Sequence, residues 1–93
     1  MNDSRVIRIV DGCIDVANCH DAQGRLYMPS YPWGVRVWIV GLEPTNKGPN
    51  FSDSAKTKAE AIKKAEELFK GKGNCKVIVF RRDNGKVAAY FGM

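Results

Sequence analysis

The residues best equipped for chemistry lie in the stretch KGKGNCKVIVFRRDNGK, Lys70 to Lys86, which holds six cations and one carboxylate. Adjacent Arg81 and Arg82 offer two planar guanidiniums. These match phosphate or carboxylate oxygens as forks, better than lysine point charges do. Lys63, Lys64, Lys70, Lys72, Lys76 and Lys86 surround them in the chain. The chemistry this suggests is recognition of an anion rather than the making or breaking of bonds. The competing reading is that a lysine-rich helix and its turns keep a small domain soluble.

Bond-making chemistry has little support. His20 is the one histidine, and it falls in a turn-rich stretch. No G-x-S-x-G, H-E-x-x-H or C-x-x-C occurs. The glycines of GKGNCK follow a helical pattern, whereas a phosphate loop needs its glycines between a strand and the helix after it. Asp11, Asp15 and Asp21 have turn or surface roles as their first reading. The expectation is a protein that is not an enzyme, with no cofactor and no small-molecule substrate.

Metal binding would have to use Cys13, Cys19, His20, Asp15 and Asp21. The spacing C-x5-C-H is not one that closes a zinc site, so no metal is expected. Three cysteines without a basic-then-apolar leader in MNDSRVIRIVDG read as reduced thiols, and the expected location is the cytoplasm. Apolar runs stop at about five residues, too short to cross a membrane.

The charge is unevenly placed. The chain of 93 residues carries net +5. Residues 1–55 hold five basic and six acidic side chains, whereas residues 56–86 hold ten basic and four acidic. Such asymmetry points to a partner of opposite sign. At this length the chain makes a single domain over 1–93, with one modest core.

The elements that must position these charges can be read from periodicity. Arg5–Val10 alternates as a strand, Asp11-Gly12 is a hairpin-turn dipeptide, and Cys13–Cys19 is the candidate return strand. Arg25–Met28 suggests a short strand before the prolines. GVRVWIVGL, Gly34 to Leu42, is the clearest strand of the first half. A loop over 43–50 follows, and Phe51–Lys56 could hold a short edge strand. Thr57-Lys58-Ala59-Glu60 is a capping box. Ala61, Ile62, Ala65, Leu68 and Phe69 then recur at helical spacing, which predicts a helix over Lys58–Lys70 with Gly71 as its terminator. Cys75–Arg82 and Lys86–Phe91 read as two strands joined at Asp83-Asn84-Gly85. The predicted fold is α+β, a four- to five-stranded antiparallel sheet with one helix packed on one face.

Parity divides that sheet into two faces. Val35, Val37, Ile39, Val77, Val79, Val87 and Ala89 should meet Ile62, Ala65, Leu68 and Phe69 of the helix. The other face would carry Arg8, Arg36, Trp38, Lys76, Ile78, Phe80, Arg82 and Tyr90. Mixed rings and cations of this kind can stack on bases and neutralise phosphates. The rival reading makes Trp38, Ile78 and Phe80 a second small core, under the N-terminal hairpin or in a dimer contact. The loop LYMPSYPWG places Tyr27, Tyr31 and Trp33 among prolines, either as an exposed binding loop or as a cap on the end of the sheet.

Trp38-Ile39-Val40, Thr57–Ile62, Val77–Phe80 and Arg82–Lys86 together resemble a family of small uncharacterised bacterial proteins. That family runs W-x-V, then T-K-A-E-A-I, an apolar strand, and R-D-G-K. Asn84 is an extra residue inside the last motif. The resemblance spans about 50 residues and implies the fold, with no activity attached. In size and architecture the chain is also similar to phage-encoded anti-CRISPR proteins, which act by occupying a surface. That likeness implies a phage-type inhibitor in the host bacterial cytoplasm. It would dock on a bacterial nucleoprotein complex, meeting protein subunits or guide RNA, and block nucleic-acid binding. Arg36, Lys63, Lys64, Lys70, Lys72, Lys76, Arg81, Arg82 and Lys86 would meet phosphate or acidic protein, and Trp38 or Trp33 would be the apolar anchor. The alternative is a small accessory protein that contacts DNA or RNA directly through the same residues.

Overall fold

The computed structural model describes residues 9–39, 49–72 and 74–92. Four strands, β1 (Trp33–Ile39), β2 (Phe51–Ala55), β3 (Cys75–Arg81) and β4 (Val87–Phe91), form one sheet in the order β2-β1-β3-β4. Every neighbouring pair is antiparallel. One helix, α1 (Lys58–Lys72), links β2 to β3 and crosses over β1 on its way. The fold is therefore α+β, with one helix on a four-stranded antiparallel sheet.

Local chemistry explains the helix. The Glu60 amide donates to Thr57 Oγ1 at 3.1 Å, which satisfies one of the free N–H groups of the first turn. Ala61 and Ala65 are completely buried, and their small side chains let the helix lie close to the sheet. With Val35, Val37, Val77 and Val79 they form the first core, flanked by Ile62, Leu68 and Phe69. Each fully buried valine contributes roughly 1.5–3 kcal/mol relative to exposure. The helix runs two residues past its predicted end. Gly71 is helical rather than a left-handed terminator.

The second sheet face is covered as well. Ile14 and Cys19 of the N-terminal segment pack on Trp38, Ile78 and Phe80, with Val16 and Leu26 at the margin. Sheet strands buried on both sides read as near-continuous apolar runs, and KVIVF of β3 does so. Little of the covering segment is regular. Asp11 and Gly12, at φ 55° and 75°, make a two-residue turn closed by reciprocal 3.0 Å bonds between Val10 and Cys13. The predicted return strand Cys13–Cys19 is instead a single residue, Cys13, bridged to Val10 and to Lys86, followed by a 3₁₀ turn at Ala17–Cys19. The short strand expected at Arg25–Met28 shrinks to the bridge His20–Leu26. Asp15 and Asp21 explain the irregularity, because each carboxylate accepts from a backbone amide two residues on, at 2.9 Å.

β1 ends within the described residues at Ile39. Most of the predicted strand at Arg5–Val10, the end of the strand predicted to Leu42, and most of the loop over 43–50 lie outside the described residues. Of the stretch Phe51–Lys56, Phe51–Ala55 is the edge strand β2. Val87 departs from its predicted face. Val79 pairs with Ala89 and Phe80 with Val87, so Ala88 is an extra residue on β4. This bulge turns Val87 towards Phe80 and the second core, while Ala89 stays with the helix.

Candidate interaction surface at the aromatic end of the sheet

Arg82 sits one residue past β3 and is only 8% exposed. Its Nη1 donates to Tyr31 O at 2.7 Å and to Met28 O at 3.0 Å, and its Nη2 to Tyr27 O at 2.6 Å. Its amide donates to Pro32 O at 2.8 Å. Four carbonyls of the loop 27–32 therefore converge on one arginine. A buried cation is stable only when its donors find acceptors, and here the loop backbone supplies them. The prolines at 29 and 32 remove two amide donors from this loop and help leave its carbonyls to face inward.

Above this clasp the loop shows its side chains to solvent. Tyr27 and Met28 are 53% and 55% exposed. Met28 has φ 49°, a left-handed conformation unusual for a side chain of its size, held by the bonds beneath it. Lys56 lies over the Tyr31 ring, 5.5 Å from its centroid. Arg81 lies over the Trp33 ring at 5.1 Å. Sheet register makes these pairs neighbours, because Trp33 stands opposite both Ala55 and Arg81. One end of the sheet thus gathers two ring–cation contacts and two exposed apolar side chains.

The electrostatics of this end are simple. Asp83 accepts two bonds from Arg81, at 3.2 and 2.9 Å. The Arg81 guanidinium is the main cause that holds the Asp83 carboxyl below its ordinary 3.8, and Asp83 in turn raises Arg81. That pair is neutral. Among the described residues, no carboxylate lies within ion-pair distance of Lys56 or Arg82. The end therefore keeps a positive excess.

The residues singled out by sequence do not converge on one surface. Trp38 is 7% exposed and belongs to the second core, so it offers no external ring. Arg82 spends its donors on the loop and is no phosphate fork. Arg36 donates to Asp15 O at 2.8 Å, and its guanidinium lies 4.7 Å from the Phe80 ring centroid. It holds the covering segment onto the sheet. Lys64 donates to Ser54 O at 2.8 Å and stands 3.4 Å from Asp53, tying the helix to the edge strand. The remaining cations are scattered. Lys63 and Lys70 are exposed on the helix with Glu66 and Glu67 between them, and Lys86 is exposed on the β3–β4 hairpin. Lys76 is half-buried on the sheet face away from the helix. The side chain of Lys72 and Arg8 lie outside the described residues.

The centre of the mixed basic and aromatic face expected opposite the helix, Trp38, Ile78 and Phe80, is therefore a covered core, as the rival reading had it, while Tyr90 at its β4 edge stays 49% exposed. The physical reason is size. Ile78 and Phe80 are too apolar to leave in water, and the N-terminal segment is long enough to shield them. Lys56 and Met28 were not singled out by sequence. No local signal marks Lys56, because its position over Tyr31 follows only from the pairing of β2 with β1.

Nor do the described residues bring metal-binding groups together in clusters of three or more. His20 Nδ1 lies 2.9 Å from Val16 O, which fixes the imidazole to its own turn. No helix among the described residues is long and apolar enough to cross a membrane. No protein-family model, curated protein or solved structure matches the chain.

Proposed function

We propose that this chain is a non-catalytic docking protein, an inhibitor of the anti-CRISPR type that occupies a surface on a bacterial nucleoprotein complex. The observation that carries this reading is the preorganised loop at the aromatic end of the sheet. Binding normally costs the ordering of loops and side chains at the interface. Here Arg82 has already fixed the loop, and exposed Tyr27 and Met28 stand on it. Aromatic anchors beside cations are the usual composition of an interface hot spot. The net charge of +5 favours approach to a complex that carries nucleic acid. Lys63, Lys70 and Lys86 supply that long-range field, while Trp33 and Tyr31, rather than Trp38, frame the contact.

The direct nucleic-acid reading has less to rest on. It needs a basic track with free ring faces. Lys63 and Lys70 lie across the sheet from Lys76, and the exposed rings of Tyr27, Phe51 and Tyr90 stand on a loop and two edge strands, while Tyr31 and Trp33 already carry the chain's own cations.

A tagged pull-down from bacterial lysate, with and without nuclease, tests the proposal. Discrete proteins retained after nuclease, and lost with Tyr27→Ala plus Met28→Ala, are the expected result. Capture that disappears with nuclease overturns it in favour of a nucleic-acid binder.

A further inference from the structure

We infer that the occupant of this end of the sheet is an acidic protein segment, which sets an apolar side chain on Tyr27 and Met28 and a carboxylate on Lys56. The inference rests on the docking reading above and adds the chemistry of what is docked.

Charge complementarity is the first argument. Lys56 has an aromatic partner but no acidic one among the described residues. Beneath the loop, the Arg82 guanidinium is balanced by carbonyl dipoles and not by a carboxylate. Lys58, two residues beyond Lys56, is exposed and also lacks a described ion pair. Arg81 and Arg25 are neutralised by Asp83 and Asp21. Glu60, in the same first helical turn as Lys58, also lacks a described ion pair, so the balance at this end is Lys56, Lys58 and Arg82 against one carboxylate, and it favours an incoming acidic group.

The apolar argument separates protein from nucleic acid. Met28 is a flexible thioether suited to packing on aliphatic or aromatic side chains and is a poor platform for base stacking. Trp33 packs on the helix-side core and carries Arg81, so its ring has little free surface for a base. Asp83, whose side chain is 43% exposed beside Arg81, would repel a phosphate track running past the hairpin. A single carboxylate at Lys56 avoids it.

The test is a proton–nitrogen NMR titration of the intact protein with four probes. The first is a capped peptide with a Leu-Phe pair flanked by acidic residues. The second replaces its acids with lysines, and the third replaces Leu-Phe with glycines. The fourth is a short oligothymidylate. The expected result is saturable shifts at the Tyr27, Met28 and Lys56 amides with the first peptide alone. Lys56→Glu should weaken that binding about two- to fivefold, the scale of one exposed ion pair. Met28→Ser should weaken it comparably, and both variants should keep the dispersed spectrum of the folded protein. Equal binding of the lysine peptide, tighter binding of the oligothymidylate at the same amides, or no shifts with the first peptide would overturn the inference. Failure here while the pull-down retains its nuclease-resistant partner removes only the acidic-segment chemistry. Loss of the partner to nuclease removes the docking reading itself.

Discussion

The guanidinium of Arg82 donates to the carbonyl of Tyr31, 51 residues earlier in the chain, at 2.7 Å. This contact ties the end of β3 to the loop that enters β1. It converts a proline-interrupted stretch into a fixed surface. An arginine in a basic run usually faces water, and this one is turned inward because the loop offers its side chain three acceptors, the carbonyls of Tyr27, Met28 and Tyr31.

Arg82→Met should therefore act on stability first. It leaves three loop carbonyls without their charged donor, and hydrogen bonds to charged groups are worth about 1.5–3 kcal/mol each. Because the loop can partly rehydrate, the expected net loss is roughly 2–4 kcal/mol. Urea unfolding measures it, and hydrogen exchange should show faster exchange at the Tyr31 amide. An unchanged unfolding midpoint would show that the clasp is not structural.

Trp38→Ala empties the centre of the second core, where Trp38 packs with Ile78 and Phe80. The expected cost is about 3–5 kcal/mol, enough to unfold much of a domain this small. Trp38→Phe should retain the fold at a smaller loss. If Trp38→Ala were stable and impaired only in partner capture, the ring would be a contact residue after all. Thermal melting of both variants decides the matter.

Gly34 has no room for a side chain. A Cβ there would lie 2.5 Å from the tip of the Phe80 ring and 3.0 Å from Arg82 Cγ. Phe80 is 2% exposed and has nowhere to retreat. Gly34→Ala should cost roughly 1–3 kcal/mol by overpacking, read as a drop in melting temperature. A neutral outcome would mean that the second core is looser than its burial implies.

Asp21 and Asp83 set the acid side of the pH profile. The Arg25 amide is the main cause that lowers the Asp21 carboxyl from 3.8, and the Arg81 side chain does the same for Asp83. A depressed folded value means that each contribution is complete above the unfolded value. It is lost as pH falls through the folded one. Stability should thus decline below about pH 4. Carbon-detected NMR of the carboxyl groups should place both midpoints under 3.8. In Arg81→Ala the Asp83 midpoint should rise while that of Asp21 stays. Midpoints at or above 3.8 would show that these contacts do not hold.

Helix α1, the β3–β4 hairpin and the Asp11-Gly12 turn were legible because their signals are local. Thr57 caps within three residues, and the apolar stripe repeats within one turn. The candidate surface was legible only in part. Tyr27, Tyr31 and Trp33 drew notice as aromatics among prolines, yet Met28 and Lys56 did not, because nothing near them in sequence announces their company.

Amino-acid order alone determined helix α1, the four sheet strands, the α+β class, most of the helix-side core and the basic excess of the second half, since periodicity and charge are properties of neighbours in the chain. Tertiary structure alone decided which cations face water. Arg81 and Arg82 are adjacent and identical in sequence. Arg81 ends β3 and Arg82 opens the turn with its side chain on the opposite side, so one stacks on Trp33 beside Asp83 and the other is buried under the loop. It likewise decided that a bulge at Ala88 sends Val87 to the second core, and that the N-terminal segment covers Trp38. Each of these depends on what lies across the sheet, tens of residues away, where periodicity carries no information.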